Sequence, residues 1–297
     1  MKNISCFLLS IIIVSSSYTQ PSMSIPELLK QVQSELANQK GVFALAFRDV
    51  QTGETMLWNE HETFHAASTM KTPVMIEVFK QVAAHRFSLT DSVLVKNEFK
   101  SIVDSSLFTL NPSDDSQQEL YKLVGTKLPL SELVYQMIIM SSNLATNIIM
   151  EMVDGKKVTQ TMRNLGAKDI MVLRGVEDNK AFAKNLNNTT TAYDLMLIFE
   201  KMARGKIINK KSCNAMIKIL LDQKHNTLIP ALLPAGVKVA HKTGSISGVH
   251  HDSGIIFLPN GRKYVLVILS KNLEDDKAAI ASMARVSELI YQYVPKK

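Results

Sequence analysis

The stretch that decides the fold is VKVAHKTGSISGVHHDSGIIFLPNGRKYVLVILSKN, residues 237–272. It reads as three strands. The first is VKVAHKTGSIS, and SGIIFLPNGRKYVLVILSKN supplies two more around Asn260-Gly261, a two-residue hairpin signal because both residues tolerate the positive φ of a tight turn. DDKAAIASMARVSELIYQYV then closes the chain as a helix. Near the other end, SIPELLKQVQSELANQ spaces Leu28, Leu29, Val32 and Leu36 at helical intervals. GVFALAFRDVQTGETMLWN follows it as a hairpin turning at Gln51-Thr52-Gly53. Between these β-containing ends, roughly residues 69–225, the segments TPVMIEVFKQVAAH, LSELVYQMIIM, LATNIIMEMV, VTQTMRNLG and TAYDLMLIFEKMARG all carry helical periodicity. Strands at both termini around a helical middle predict an α/β plus all-α protein. One antiparallel sheet is built from both chain ends with flanking helices, and an all-helical lobe is inserted between them. The expected division is an α/β lobe over 24–67 and 226–297 and a helical lobe over 68–225, with a cleft between. No repeat or Pro/Gly-rich linker separates the lobes. Asn97 to Thr126 is the least regular part, and DSSLFTLNPSDDSQQ reads as a surface loop bordering the cleft.

Composition narrows the function classes. The 297 residues hold 34 Lys and Arg against 27 Asp and Glu, a formal charge of +7. The basic residues are scattered, without a cluster or aromatic interleaving, so nothing suggests nucleic-acid binding. Met1-Lys2-Asn3, an apolar run around Phe7 to Val14 and a Ser/Thr-rich end near Tyr18-Thr19-Gln20 form the three parts of a secretory signal peptide over residues 1–20. The mature chain, 21–297, is then periplasmic or secreted. A membrane span needs about 20 apolar residues, more than this run offers. Cys6 falls in the leader, and Cys213 is left alone as a buried small apolar residue without a disulfide partner. Met137, Met140, Met150 and Met152 sit at core-like helical spacing. His250-His251-Asp252 lacks the spacing of a metal set, because adjacent strand residues face opposite ways. It reads as a strand-entry turn with Asp252 bonded locally. By the same alternation His241 points away from Lys242. His65 lies near Ser68 but has no acid partner pattern and no Gly-x-Ser-x-Gly elbow.

Three short constellations carry chemistry. Ser68-Thr69-Met70-Lys71 opens a helix, and residues three apart share a helix face, so the Lys71 amine can approach the Ser68 hydroxyl and take its proton. The helix N-terminus adds a positive field for a developing oxyanion. Ser141-Ser142-Asn143 lies between two helices, where it also fits a simple N-cap. Lys242-Thr243-Gly244 ends a strand run, where Gly244 lets a ligand come close.

In this order and on these elements, the three motifs resemble the penicillin-recognising serine hydrolases. Serine first and asparagine third in the middle motif make the chain similar to class A β-lactamases and low-molecular-mass penicillin-binding proteins. The resemblance implies a small-molecule β-lactam substrate, no cofactor, no metal and a monomer. It makes Ser68 the nucleophile, Lys71 its proton acceptor or relay, and Ser141 the donor to the leaving nitrogen. Lys242, Thr243 and Ser245 bind the substrate carboxylate, and Asn143 orients the acyl amide. The backbone N–H groups of Ser68 and Ser245 form the oxyanion hole, and Asn147 ties the helices to an Ω-loop. That loop matches Arg174 to Thr191, RGVEDNKAFAKNLNNTTT, with Glu177 as the deacylating base and Asp178 as the runner-up. The loop departs from the family pattern. Glu177 is three residues after Arg174 rather than two, Ala181 replaces an asparagine, Asn188 replaces the aspartate that pairs with the arginine, and Ser142 replaces a structural aspartate. Two alternatives keep Ser68 and Lys71: a D-Ala-D-Ala peptidase or esterase, and a penicillin sensor that acylates without turnover.

Overall fold

A computed structural model describes residues 23–294. The expected leader, with Cys6, lies outside the described residues. Strands β1 (Val42–Asp49), β2 (Thr55–Trp58), β3 (Lys238–Ile246), β4 (Val249–Phe257) and β5 (Lys263–Lys271) form one sheet in the order β2-β1-β5-β4-β3. All four ladders are antiparallel. The two chain ends meet where Leu45 of β1 faces Ile268 of β5. Both faces of the sheet are covered, so β1 and β5 read as continuous apolar runs.

Strand alternation divides the core. Phe43, Leu45, Phe47, Leu266 and Ile268 pack with Leu28, Val32, Met283 and Val286 on one face. These last four come from α1 (Ile25–Leu36) and α9 (Asp276–Tyr293), the first and last helices. Ser24 and Glu27 close a capping box at the start of α1. Ala44, Ala46, Val265, Val267 and Leu269 turn instead to the helices that lie between β2 and β3. Those helices are α2 (Lys71–Ala83), α3 (Leu130–Ile139), α4 (Asn143–Val153), α5 (Gly155–Asn164), α6 (Asn179–Ala183), α7 (Ala192–Ala203) and α8 (Lys210–Leu221). Cys213 and the methionines Met137 and Met150 are buried there, as packing residues. No described helix is long and apolar enough to cross a membrane.

Three local expectations change. Leu258 N–H donates to Arg262 O (2.9 Å) and Gly261 N–H to Leu258 O (3.0 Å), so Pro259, Asn260 and Gly261 form a three-residue hairpin loop rather than a two-residue one. Pro259 has no N–H for the ladder and takes the first loop position, leaving Gly261 at φ +83° to restore register. His250-His251-Asp252 lies inside β4, and Asp252 reaches far beyond a local turn. Its carboxylate bonds His241 Nδ1 across the ladder (2.9 Å) and accepts Ile229 N–H (3.0 Å), a wholly buried pair that faces away from Lys242. The region from Asn97 to Thr126 also carries short ladders and 3-10 turns, and it buries Leu110, Asp115 and Leu120.

His251 ties the sheet to the residues just before Ser68. Its Nε2 donates to His65 O (2.9 Å), and Ser270 N–H donates to its Nδ1 (3.2 Å). Burial holds its pKa down to about 4, against the carbonyl contacts that favour charge. The unfolded chain therefore binds a proton near pH 6.5 that the folded chain refuses until about pH 4. Stability falls as pH drops through that window, by on the order of 3 kcal/mol for this group. Urea melts between pH 7 and pH 4 check this: the decline should shrink in His251→Gln.

Candidate active site

The turn that carries Ser68 is the 3-10 segment Ala67–Met70, which runs straight into α2. Ala66 N–H donates to Asn188 O (2.8 Å), and Thr69 Oγ1 donates to Ala66 O (2.5 Å). Ala67 is held at φ +43°, a left-handed conformation that costs roughly 1–2 kcal/mol outside glycine. Strand β3 presses on this turn. A Cβ on Gly244 would lie 3.1 Å from the backbone nitrogens of both Ser68 and Thr69, so glycine there lets the strand edge reach the Ser68 amide.

Lys71 points from the first turn of α2 into the protein and is wholly buried. Its Nζ donates to Ser141 O (2.6 Å), Ser141 Oγ (3.3 Å) and Asn143 Oδ1 (2.9 Å). Contrary to the helix-face expectation, Ser68 Oγ is not among its partners: the turn before α4 outcompetes it. Ser141 sits at φ +59°, which turns both its carbonyl and its hydroxyl toward the amine. Burial lowers the Lys71 pKa to about 7, with Asp115 and Glu177 acting in the opposite sense. Lys242, equally buried, donates to Ser141 Oγ (2.9 Å) and Thr243 O (2.9 Å). Its pKa lies well below the ordinary value through burial and the nearby Lys71, opposed by Asp252. Two amines thus donate to one hydroxyl oxygen, leaving its own O–H free for the cleft.

Asn143 joins the lysine to Glu177. Its Oδ1 accepts from Lys71, and its Nδ2 donates to Glu177 Oε1 (2.7 Å). Burial raises the Glu177 pKa, the Asn143 bond and Lys71 oppose, and Asp114 and Asp115 add to the rise. Glu177 is held at φ +61° by the loop around it. Asn147 Nδ2 donates to Val176 O (3.0 Å), and Val176 N–H returns a bond to its Oδ1 (2.7 Å), the tie expected between helix and loop. Arg174 pairs with Asn187 Oδ1 (3.0 Å) rather than with Asn188, which instead bonds the backbone of Leu173 and Arg174. Asp178 is committed elsewhere: it caps α6 at Ala181 N–H and binds Ser101 Oγ and Ile102 N–H at 2.9 Å. An aspartate three residues before the helix formers Ala181 and Phe182 is the N-cap signal that locates α6. Asp115, absent from the sequence reading, accepts at the start of α4 from Asn143 N–H (2.8 Å) and Leu144 N–H (2.9 Å).

A cavity of about 610 Å³ is lined by His65, Ser68, Asn143, Glu177, Phe182 and Ser245. A second, of about 290 Å³, shares Ser68 and adds Ser141, Thr243, Gly244 and His250. All nine predicted residues therefore meet at one cleft or directly behind it. Ser245 Oγ is hydrogen-bonded to His250 Nδ1 (2.9 Å). His65 borders the cleft, and its Nδ1 accepts from Ala67 N–H (3.1 Å), a structural use.

The family described as the beta-lactamase enzyme family matches residues 27–294. The extended-spectrum β-lactamase PER-1 of Pseudomonas aeruginosa is 25% identical, spanning 97% of this chain and 94% of that protein. A β-lactamase from Sphaerobacter thermophilus superposes with a TM-score of 0.79 at 25% identity, covering 93% of this chain and 99% of its own. The structure of PBP-A does so with a TM-score of 0.79 at 26% identity, over 94% and 99%.

The loop that carries Glu177 depends on a close approach. A Cβ on Gly175 would stand 2.2 Å from Asn147 Oδ1. Gly175→Ala should therefore break the Asn147 clamp on Val176, at about 1–3 kcal/mol of stability. Thermal melts should show that loss, and hydrogen exchange should rise first at the Val176 amide. Unchanged exchange there would remove the clamp's role in holding the loop.

Proposed function

The chain belongs to the beta-lactamase enzyme family, and from that premise we propose that it hydrolyses the β-lactam amide through an acyl-enzyme on Ser68, in the class A manner. One observation carries the reading. Lys71, Asn143 and Glu177 form a continuous hydrogen-bonded path beside Ser68, while Lys71 and Lys242 converge on Ser141.

In this reading Ser68 Oγ attacks the lactam carbonyl, and its proton passes to neutral Lys71, ample near pH 7. The carbonyl oxygen takes up negative charge against the Ser68 and Ser245 backbone N–H groups. Ser141 gives its proton to the leaving nitrogen as the C–N bond breaks, and Lys71 resupplies it. Lys242, Thr243 and Ser245 hold the substrate carboxylate, and Asn143 the acyl amide. Glu177 then takes a proton from water as that water attacks the ester, and the proton returns to Ser68 Oγ. A raised pKa suits a general base at neutral pH. Lys71 and Ser68 are not bonded in the unliganded site, and such contacts often tighten only with substrate bound. The leader of residues 1–20 supports a periplasmic or secreted location, and the reading needs only one copy of the chain.

A second reading is a penicillin-binding protein whose acyl-enzyme persists, favoured by the likeness to PBP-A. Nitrocefin turnover against stoichiometric penicillin labelling separates the two, with many turnovers per site expected. Ser68→Ala should abolish both turnover and the mass-spectrometric adduct, and a surviving adduct would move the nucleophile elsewhere. Glu177→Gln should acylate yet stall, with a burst of one product per site and steady-state turnover lower by about 10²–10⁴-fold. Normal turnover in that variant would remove Glu177 as the base. The acylation rate should rise with pH through about 7 as Lys71 loses its proton, and a flat stopped-flow profile from pH 5.5 to 8.5 would exclude Lys71 as the acceptor.

A further inference from the structure

Asp115 stands outside every motif, on the loop before α3, and is 3% exposed. Its Oδ2 accepts from Asn143 N–H (2.8 Å), Leu144 N–H (2.9 Å), Tyr121 Oη (3.0 Å) and Ser142 Oγ (3.3 Å). Its Oδ1 accepts Gln117 N–H (2.9 Å). A buried carboxylate with this many donors is held in one orientation. Three of the four groups on Oδ2 belong to the turn that opens α4. That turn presents Ser141 O, Ser141 Oγ and Asn143 Oδ1 to Lys71.

We propose that Asp115 is a positioning residue of the reaction, fixing the Ser141 to Asn143 turn that aims Lys71 and supplying the fixed negative charge behind it. The inference rests on the β-lactamase reading only for what Lys71 does, since the geometry is independent of substrate. A neutral acceptor would hold the turn as a cap does. The carboxylate does more, because it faces a buried amine surrounded by few compensating charges. Asp115 and Glu177 both stabilise the charged form of Lys71. Burial, Lys242 and Lys71 lower the pKa of the neighbouring His225, and burial and Lys71 lower that of Lys242. Asp114, one residue earlier, lines the cleft, whereas Asp115 is buried against the start of α4, and both add to the raised pKa of Glu177.

The experiment follows the Lys71 side chain directly in the full-length mature protein. With ¹³C-labelled lysine, the Lys71 ε-methylene signal, assigned by its loss in Lys71→Met, is titrated by NMR in the parent, Asp115→Asn, Asp115→Glu and Ser142→Ala. Asp115→Asn keeps the shape and one acceptor but removes the charge, so the Lys71 midpoint should move down from about 7 by half a unit or more, and the acylation pH profile should move with it. Asp115→Glu keeps the charge and displaces it, so the midpoint should hold while the plateau acylation rate per labelled site falls roughly tenfold to a hundredfold. Ser142→Ala removes a hydroxyl contact and the Ala145 cap, and should lower the melting temperature with no change in midpoint. An unchanged midpoint in Asp115→Asn, or an equal shift in Ser142→Ala, overturns the charge role. If Asp115→Asn does not fold, an unaltered acylation plateau in Asp115→Glu overturns the positioning role. Parent protein that takes no penicillin label fails the β-lactamase reading instead, and the lysine titration still decides Asp115.

Discussion

Everything in this site answers to one constraint: two lysine amines, Lys71 and Lys242, are wholly buried and donate to the same hydroxyl oxygen of Ser141. Like charges in a low-dielectric interior repel strongly, and isolated buried charge is expensive. The protein meets this in two ways. Both lysines are pushed toward their neutral forms by burial, and carboxylates stand behind them. Asp115 and Glu177 serve Lys71, and Asp252 serves Lys242. Each carboxylate comes from a different part of the chain, so the site forms only when the loop before α3, the Ω-loop and strand β4 are all in place.

That dependence explains the architecture. Sheet strand β3 delivers Lys242 and Gly244, the start of α2 delivers Ser68 and Lys71, and the turn before α4 delivers Ser141 and Asn143. The bonds that join these segments run between residues far apart in the chain. His251, fixed between Ser270 and His65, sets the height of the Ser68 turn on the sheet, and Gly244 sets its distance from the strand edge. The same burial that makes Lys71 a base near neutrality makes His251 refuse a proton until about pH 4. The lowered pKa of Lys71 and the acid sensitivity of the fold thus have a common physical origin.

The fold and the motif residues were legible because they rest on short-range regularities. Helical spacing of Leu28, Val32 and Leu36, apolar runs in β1 and β5, and Ser68 three residues before Lys71 on a helix start all survive translation into structure. What was not legible depends on the path of loops. Asp115 looks no different in sequence from Asp114 beside it, and only the course of the chain decides which carboxylate is buried. The sequence marks Ser141 as a candidate, but its φ of +59° is imposed by contacts and no residue type announces it. Lys71 was expected to reach Ser68 from helix geometry alone. The competing acceptors on Ser141 and Asn143 come from 70 residues away in sequence, beyond any periodicity.

The Ω-loop shows how a family pattern is met by other bonds. With Asn188 where an aspartate would pair with Arg174, the guanidinium turns to Asn187 and to the carbonyls of Gly175 and Leu186. Asn188 bonds the backbone of Leu173 and Arg174 instead, tying the end of the loop to its beginning. The charge-bearing anchor moves to Asp178, which pins the loop to Ser101 and Ile102 on the neighbouring segment. At the neck the guanidinium thus meets neutral acceptors in place of a carboxylate, bonds that do not depend on carboxylate protonation. The extra residue between Arg174 and Glu177 is absorbed at Glu177 itself, whose left-handed backbone returns the side chain to Asn143. A shifted spacing in sequence therefore does not displace the carboxylate from the cleft. It places the left-handed backbone at Glu177, which Asn143 holds by its side chain while Asn147 clamps the preceding Val176.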